Sequence, residues 1–154
     1  MNFFEYLAHQ KLEDRQAFII HFPPGTGKTA FAKRICELRP SVFRLDLLEA
    51  FTVHPELKIA EFTPQRLEDY VLAYPYPEGV TTVLVDNGDV LWNTWSKPQK
   101  EDLLHWMRYT LRTPSKTTMT IVLIIQTDNI WTQASLNDAG GRSRILPLNA
   151  FDAL

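Results

Sequence analysis

The sequence predicts an α/β domain: a parallel central sheet with helices on both faces. Two observations carry this expectation. Strand-length apolar runs at 17–22, 42–47, 81–86, 119–125 and 143–148 alternate with stretches whose apolar residues recur at helical spacing. The run Met119-Thr120-Ile121-Val122-Leu123-Ile124-Ile125 is nearly continuous, as a strand covered on both faces requires. At 154 residues the chain is expected to form one domain, with room for a core but not for a second catalytic module.

Each element has its own signal. Residues 2 to about 13 read as a helix with Phe3, Phe4 and Leu7 on one side. Ala17-Phe18-Ile19-Ile20-His21-Phe22 is the first strand. A helix follows from Lys28 to about Leu38, with Phe31, Ile35 and Leu38 in its stripe, and Pro40 stops it. Val42–Leu47 reads as the second strand, and 50–62 shows no clear period. Thr63-Pro64 opens the next helix as cap and first-turn proline. Its stripe is Leu67, Tyr70, Val71 and Tyr74, and Pro75 and Pro77 end it. Thr81–Asp86 is a buried-type strand, and Ser96 with Gln99 fits a capping box for a helix running to about Arg112. The central strand at 119–125 and a last strand near Ser143–Leu148 complete the sheet.

In such sheets ligands gather at the carboxyl ends of the strands. There stands Pro23-Pro24-Gly25-Thr26-Gly27-Lys28-Thr29, between the first strand and its helix. Glycines let the backbone turn tightly, so the N–H groups from Gly25 through Ala30 can wrap a polyphosphate, with Pro24 and Thr26 completing the loop. Lys28 can reach the β- and γ-phosphates, and the Thr29 hydroxyl can ligate Mg²⁺. The pattern G-x-x-x-x-G-K-[ST] departs at one place, where Phe22 replaces the first glycine. The expected ligand is a nucleoside triphosphate, ATP, with Mg²⁺.

Asp86 ends an apolar strand, where a phosphate-loop enzyme needs a carboxylate to hold Mg²⁺ beside Thr29; the plain alternative is a turn or capping residue. The next residue is Asn87, at a position where many such enzymes carry a glutamate that polarises the attacking water. An amide cannot accept that proton at neutral pH, although it can orient water. Asp89 is the nearest carboxylate that could substitute, or it caps the following turn. Hydrolysis is therefore expected to be slow or partner-dependent. After the central strand, Thr127, Asp128 and Asn129 are equivalent candidates to sense the γ-phosphate, and Asp128 is the one expected to act in catalysis, against a plain polar turn. Arg142 and Arg144 follow Gly140-Gly141. An arginine given across a subunit boundary speeds phosphoryl transfer by ~10³–10⁵; the alternative is a solvated basic pair. Trp92 and Trp95 sit in an expected loop as core, docking surface or base-stacking platform, core being the default.

Composition narrows the setting. A net charge of −2 advertises neither nucleic-acid nor membrane binding. The single cysteine, Cys36, excludes an internal disulfide or a Cys-rich zinc site and reads as packing. The histidines at 9, 21, 54 and 105 show no metal-ligand spacing. No signal peptide or membrane-length apolar run is visible, so a cytoplasmic setting is expected.

The strand–loop–helix, the separate aspartate strand, the intervening strand and the late arginines together resemble additional-strand P-loop NTPases, of which AAA+ ATPases are the nearest broad group. Leu136–Leu148 resembles the AAA+ stretch that carries arginine fingers into the last strand, which favours Arg142 over Arg144. The helical lid of full AAA+ proteins is not expected at the C-terminus. More narrowly, Val85-Asp86-Asn87-Gly88-Asp89-Val90-Leu91-Trp92 and the stop near the last strand resemble BrxF, a small P-loop protein of BREX phage-defence systems. The resemblance implies an ATPase that works with larger defence proteins on foreign DNA, and the arginine-finger reading adds that the chain must form a homo-oligomer to be active. A nucleotide-gated binding module without turnover is the alternative. A small-molecule kinase is disfavoured by the lack of a central arginine-rich lid, and a GTPase by the lack of Asn-Lys-x-Asp.

Overall fold

The computed structural model describes residues 1–110 and 117–152. Its centre is a five-stranded, all-parallel sheet: β1 (Phe18–Phe22), β2 (Val42–Asp46), β3 (Thr82–Asp86), β4 (Thr120–Gln126) and β5 (Ile145–Pro147). The spatial order is β2-β3-β4-β1-β5, so β4 lies between the strand that launches the glycine-rich loop and the strand that ends in Asp86. The helices are α1 (Phe3–Gln10), α2 (Lys28–Leu38), α3 (Leu47–Val53), α4 (Pro64–Ala73), α5 (Asp89–Trp92), α6 (Lys97–His105) and α7 (Asn129–Gln133).

Strand alternation sorts the core into two layers. Phe18, Ile20, Phe22, Val42, Leu84, Val122, Ile124 and Leu146 face α1 and α2, where Phe3, Tyr6, Leu7, Ala32 and Ile35 meet them. Ile19, Leu45, Val83, Val85, Ile121, Leu123 and Ile125 face the other way, onto residues of α3 to α7. The α/β architecture with covered faces is as the sequence predicts. Among the described residues no helix is long and apolar enough to cross a membrane.

Several boundaries differ from expectation for physical reasons. Helix α1 stops at Gln10, and Leu12 beyond it is fully outside the core at 83% exposure. Strand β2 ends one residue early because the Asp46 side chain accepts the Glu49 N–H and starts α3. The stretch 50–62 finishes α3 and then makes two 3₁₀ turns, Pro55–Leu57 and Ile59–Glu61, pinned by Phe51 and Phe62 packing edge to face at 5.0 Å. Leu38, placed in the α2 stripe, is exposed. The Ser96–Gln99 capping box forms, but α6 passes into a π turn at Trp106–Thr110, and the expected end at Arg112 lies outside the described residues. Trp92 and Trp95 belong to the core, Trp92 within the helix α5 rather than a loop.

Candidate functional site

Parallel strands put the ends of β1, β3 and β4 on one edge, and the loop leaves from there. Gly25 and Gly27 take φ of +72° and +85°, the left-handed conformation that glycine adopts without strain. The Thr26 hydroxyl donates to the Pro23 carbonyl at 2.6 Å and closes the turn. Gly27 is the N-cap of α2 and offers no side chain, so the first-turn N–H groups of α2 have no side-chain acceptor at the cap. The loop from Pro23 to Gly27 is exposed. Phe22 is compatible with this geometry. Its side chain is completely buried against Phe31 of α2, ring centroids 5.4 Å apart, on the core side of the strand. Its carbonyl accepts the Thr127 N–H at 2.8 Å.

Two carboxylates reach the loop. Asp86 Oδ2 lies 3.3 Å from the Thr29 hydroxyl that donates to it, and Asp89 Oδ2 lies 3.3 Å from Lys28 Nζ. Asp89 does not cap its own turn: its other oxygen accepts the N–H of Gln126, the last residue of β4, at 2.9 Å. Thr29 and Asp86 form an oxygen-only donor pair, which suits a hard cation such as Mg²⁺ that keeps several waters and takes its remaining ligands from a phosphate.

Asp86 is fully buried, and its charge is answered by a residue that the sequence reading did not single out. Arg44 Nε donates to Asp86 Oδ2 at 2.8 Å, and Arg44 Nη2 reaches Asp46 Oδ2 at 3.3 Å. The register sets Asp46 opposite Asp86, and alternation puts Arg44 on the same face as both. Asn87 also joins this group: its N–H donates to Asp86 Oδ1 at 2.8 Å and its Nδ2 to Asp46 Oδ1 at 2.9 Å. The Asn87 side chain therefore points toward β2, away from the loop, from a left-handed backbone with φ of +59°. Burial raises the Asp46 carboxyl, but hydrogen bonds from Asn87 and the Glu49 backbone, with the charge of Arg44, outweigh it and hold the group below its ordinary value.

The three residues after β4 part company. Thr127 stays nearest the loop through its bond to Phe22, and its hydroxyl lies 3.0 Å from His21 Nδ1. Asp128 turns to Lys100 Nζ at 3.2 Å and caps α7 through the Ile130 N–H; that backbone bond, more than the lysine, holds its carboxyl below the usual range. Asn129 opens α7.

Arg142 and Arg144 are not part of this constellation. Both precede β5, which runs parallel to β1, so they lie at the opposite edge of the sheet from the loop. Arg142 is exposed, in a turn where Asp138 Oδ1 accepts the N–H groups of Gly140 and Arg142 at 2.9 and 2.8 Å. Arg144 is 3% exposed and gives Nη1 to the carbonyls of Arg15 and Ala17. A finger that reaches another subunit must be exposed, a condition that Arg142 meets and Arg144 does not. Near that turn, His9, Glu13 and Asp138 bring their ligand atoms within 4.8 Å of one another, a grouping that spacing along the sequence did not reveal. Asp138 is already engaged there by Gln10 and the two loop N–H groups. Cys36 is half-buried on α2, and burial raises its thiol, as suits packing rather than chemistry.

Comparison of the chain with protein-family models, with curated proteins and with solved structures finds no match.

Proposed function

We propose that the chain is a MgATP-binding P-loop ATPase subunit that self-assembles on ATP and regulates a larger complex. The observation that carries this reading is the convergence of Lys28, Thr29, Asp86 and Asp89 at the mouth of a left-handed glycine loop, each basic or hydroxyl group within 3.3 Å of a carboxylate. The placement of β4 between β1 and β3 supports the additional-strand reading. The loop N–H groups would cradle the phosphates, Lys28 would meet the β- and γ-oxygens, and Thr29 with Asp86 would hold Mg²⁺. Arg142 would complete a neighbour's site, since it is exposed and remote from its own. The larger partners, by the resemblance to the BREX protein, would act on foreign DNA.

The test is a titration with a fluorescent ATP analogue in Mg²⁺, joined to sedimentation with and without ATP. Lys28→Ala should weaken binding about 10- to 100-fold, the worth of a charge-assisted hydrogen bond. Wild type should sediment faster with ATP. No binding at millimolar nucleotide would sink the reading. A second reading, a nucleotide-gated binding module with negligible turnover, is favoured by one observation: Asn87 carries no carboxylate and faces Asp46. ATP turnover lost in Asp86→Ala would decide against it.

A further inference from the structure

We propose that Asp89 is the carboxylate that orients and deprotonates the hydrolytic water, and that its ion pair with Lys28 keeps the site latched until a triphosphate takes the lysine. This rests on the ATPase reading and adds the residue that performs the water step.

Side-chain direction separates the two residues that could do it. The strand order places β2 on one side of β3, and β4 and β1 on the other. Asn87 turns to the β2 side and is spent on Asp46. Asp89 turns to the β4 side, toward the loop. There its two oxygens are unequal. Oδ1 is anchored by the Gln126 N–H, and Gln126 is paired in register with Phe22, the residue from which the loop departs. Among the described residues, Oδ2 meets only Lys28. A carboxylate serving simply to cap β4 would need the first contact and not the second.

When Lys28 moves to the phosphate oxygens, Oδ2 is released while Oδ1 stays fixed. A group 3.3 Å from the lysine nitrogen lies within about 6 Å of the oxygens that this nitrogen would touch, one water molecule's span. Both side chains are about one-fifth exposed, at 18% and 21%, so water enters without bulk solvent surrounding the pair. In the step, the water oxygen forms a bond to the γ-phosphorus and its proton passes to Asp89 Oδ2. The bond from the γ-phosphorus to the β–γ bridging oxygen breaks, and its electron pair leaves on ADP. Asp89 then returns the proton to solvent, leaving ADP and inorganic phosphate.

Asp89→Asn in the full chain tests this, because asparagine keeps an oxygen for the Gln126 N–H but can neither take the proton nor pair with Lys28. Two readouts are needed: equilibrium binding of a fluorescent ATP analogue with Mg²⁺, and single-turnover hydrolysis with protein in excess. The expected result is a turnover at least ~100-fold lower, with ATP bound roughly 2- to 5-fold more tightly because the competing ion pair is gone. A purely structural role predicts weaker binding and a lower melting temperature together. Unchanged turnover, or a wild type that binds ATP under these conditions without hydrolysing it, overturns the assignment. If the wild type does not bind ATP at all, the ATPase reading fails first.

Discussion

Arg44 is the residue on which the buried end of β3 depends. Asp86 has no exposed surface, and an ionised carboxylate so placed is tolerated only with a partner. Arg44 supplies the charge at 2.8 Å and is itself held at 3.3 Å by Asp46, while Thr29 and the Asn87 N–H satisfy further lone pairs. Removing one member of such a pair costs more than the pair is worth, because the other is left buried and unpaired. Arg44→Met should therefore destabilise the fold by about 3 kcal/mol in urea denaturation. Adding Asp86→Asn to that variant should recover part of the loss. An Arg44→Met protein within ~0.5 kcal/mol of wild type, the ordinary range for surface changes, would show that Asp86 has another source of compensation.

At the scale of elements, the turn from β3 into α5 decides where Asp89 points. Gly88 has an ordinary φ of −72°, so its need is for space rather than for backbone freedom. A Cβ there would fall 2.3 Å from the Trp92 ring, which is buried beside Trp95 and Trp131 with centroids at 4.9 and 6.5 Å. Gly88→Ala should cost about 1–3 kcal/mol, as overpacking does, and a thermal melt equal to wild type would contradict that packing. This helix was the element least legible in the sequence. One turn is too short for a helical period, and Asn87-Gly88-Asp89 reads as turn chemistry. The β-strands were legible because they are apolar runs bounded by proline, glycine and carboxylates. The 50–62 stretch was not, because Phe51 and Phe62 meet through tertiary contact and follow no period. The site divides in the same way. Lys28, Thr29 and Asp86 belong to patterns written along the chain. Arg44 and Asp46 enter through the pairing of β2 with β3, which no local pattern declares, although an arginine within a half-buried strand was a signal.

For the whole molecule, acidic groups tie down both edges of the sheet, and this sets how stability should respond to pH. At the loop edge are Asp46 and Asp128; at the opposite edge Asp138 holds Gln10 and the turn carrying Arg142. Burial raises Asp138, but the bonds from Gln10 and the Arg142 and Gly140 backbone outweigh it, so all three carboxyls lie below their ordinary values in the folded chain. A depressed folded value means that the unfolded chain binds protons first as the pH falls. Their contribution is thus complete above the unfolded value of about 3.9 and is lost as the pH drops through it and below. His21 follows the same sign by a different cause. Burial on β1 lowers its value, so protonation favours the unfolded chain below about 6.5. The melting temperature at constant ionic strength should therefore decline gently from pH 6.5 and steeply below pH 4. His21→Gln should flatten the upper limb and leave the lower one. A wild-type melting temperature that is level from pH 7 to pH 4.5 would count against His21, and a lower limb that vanishes with His21→Gln would count against the three carboxyls.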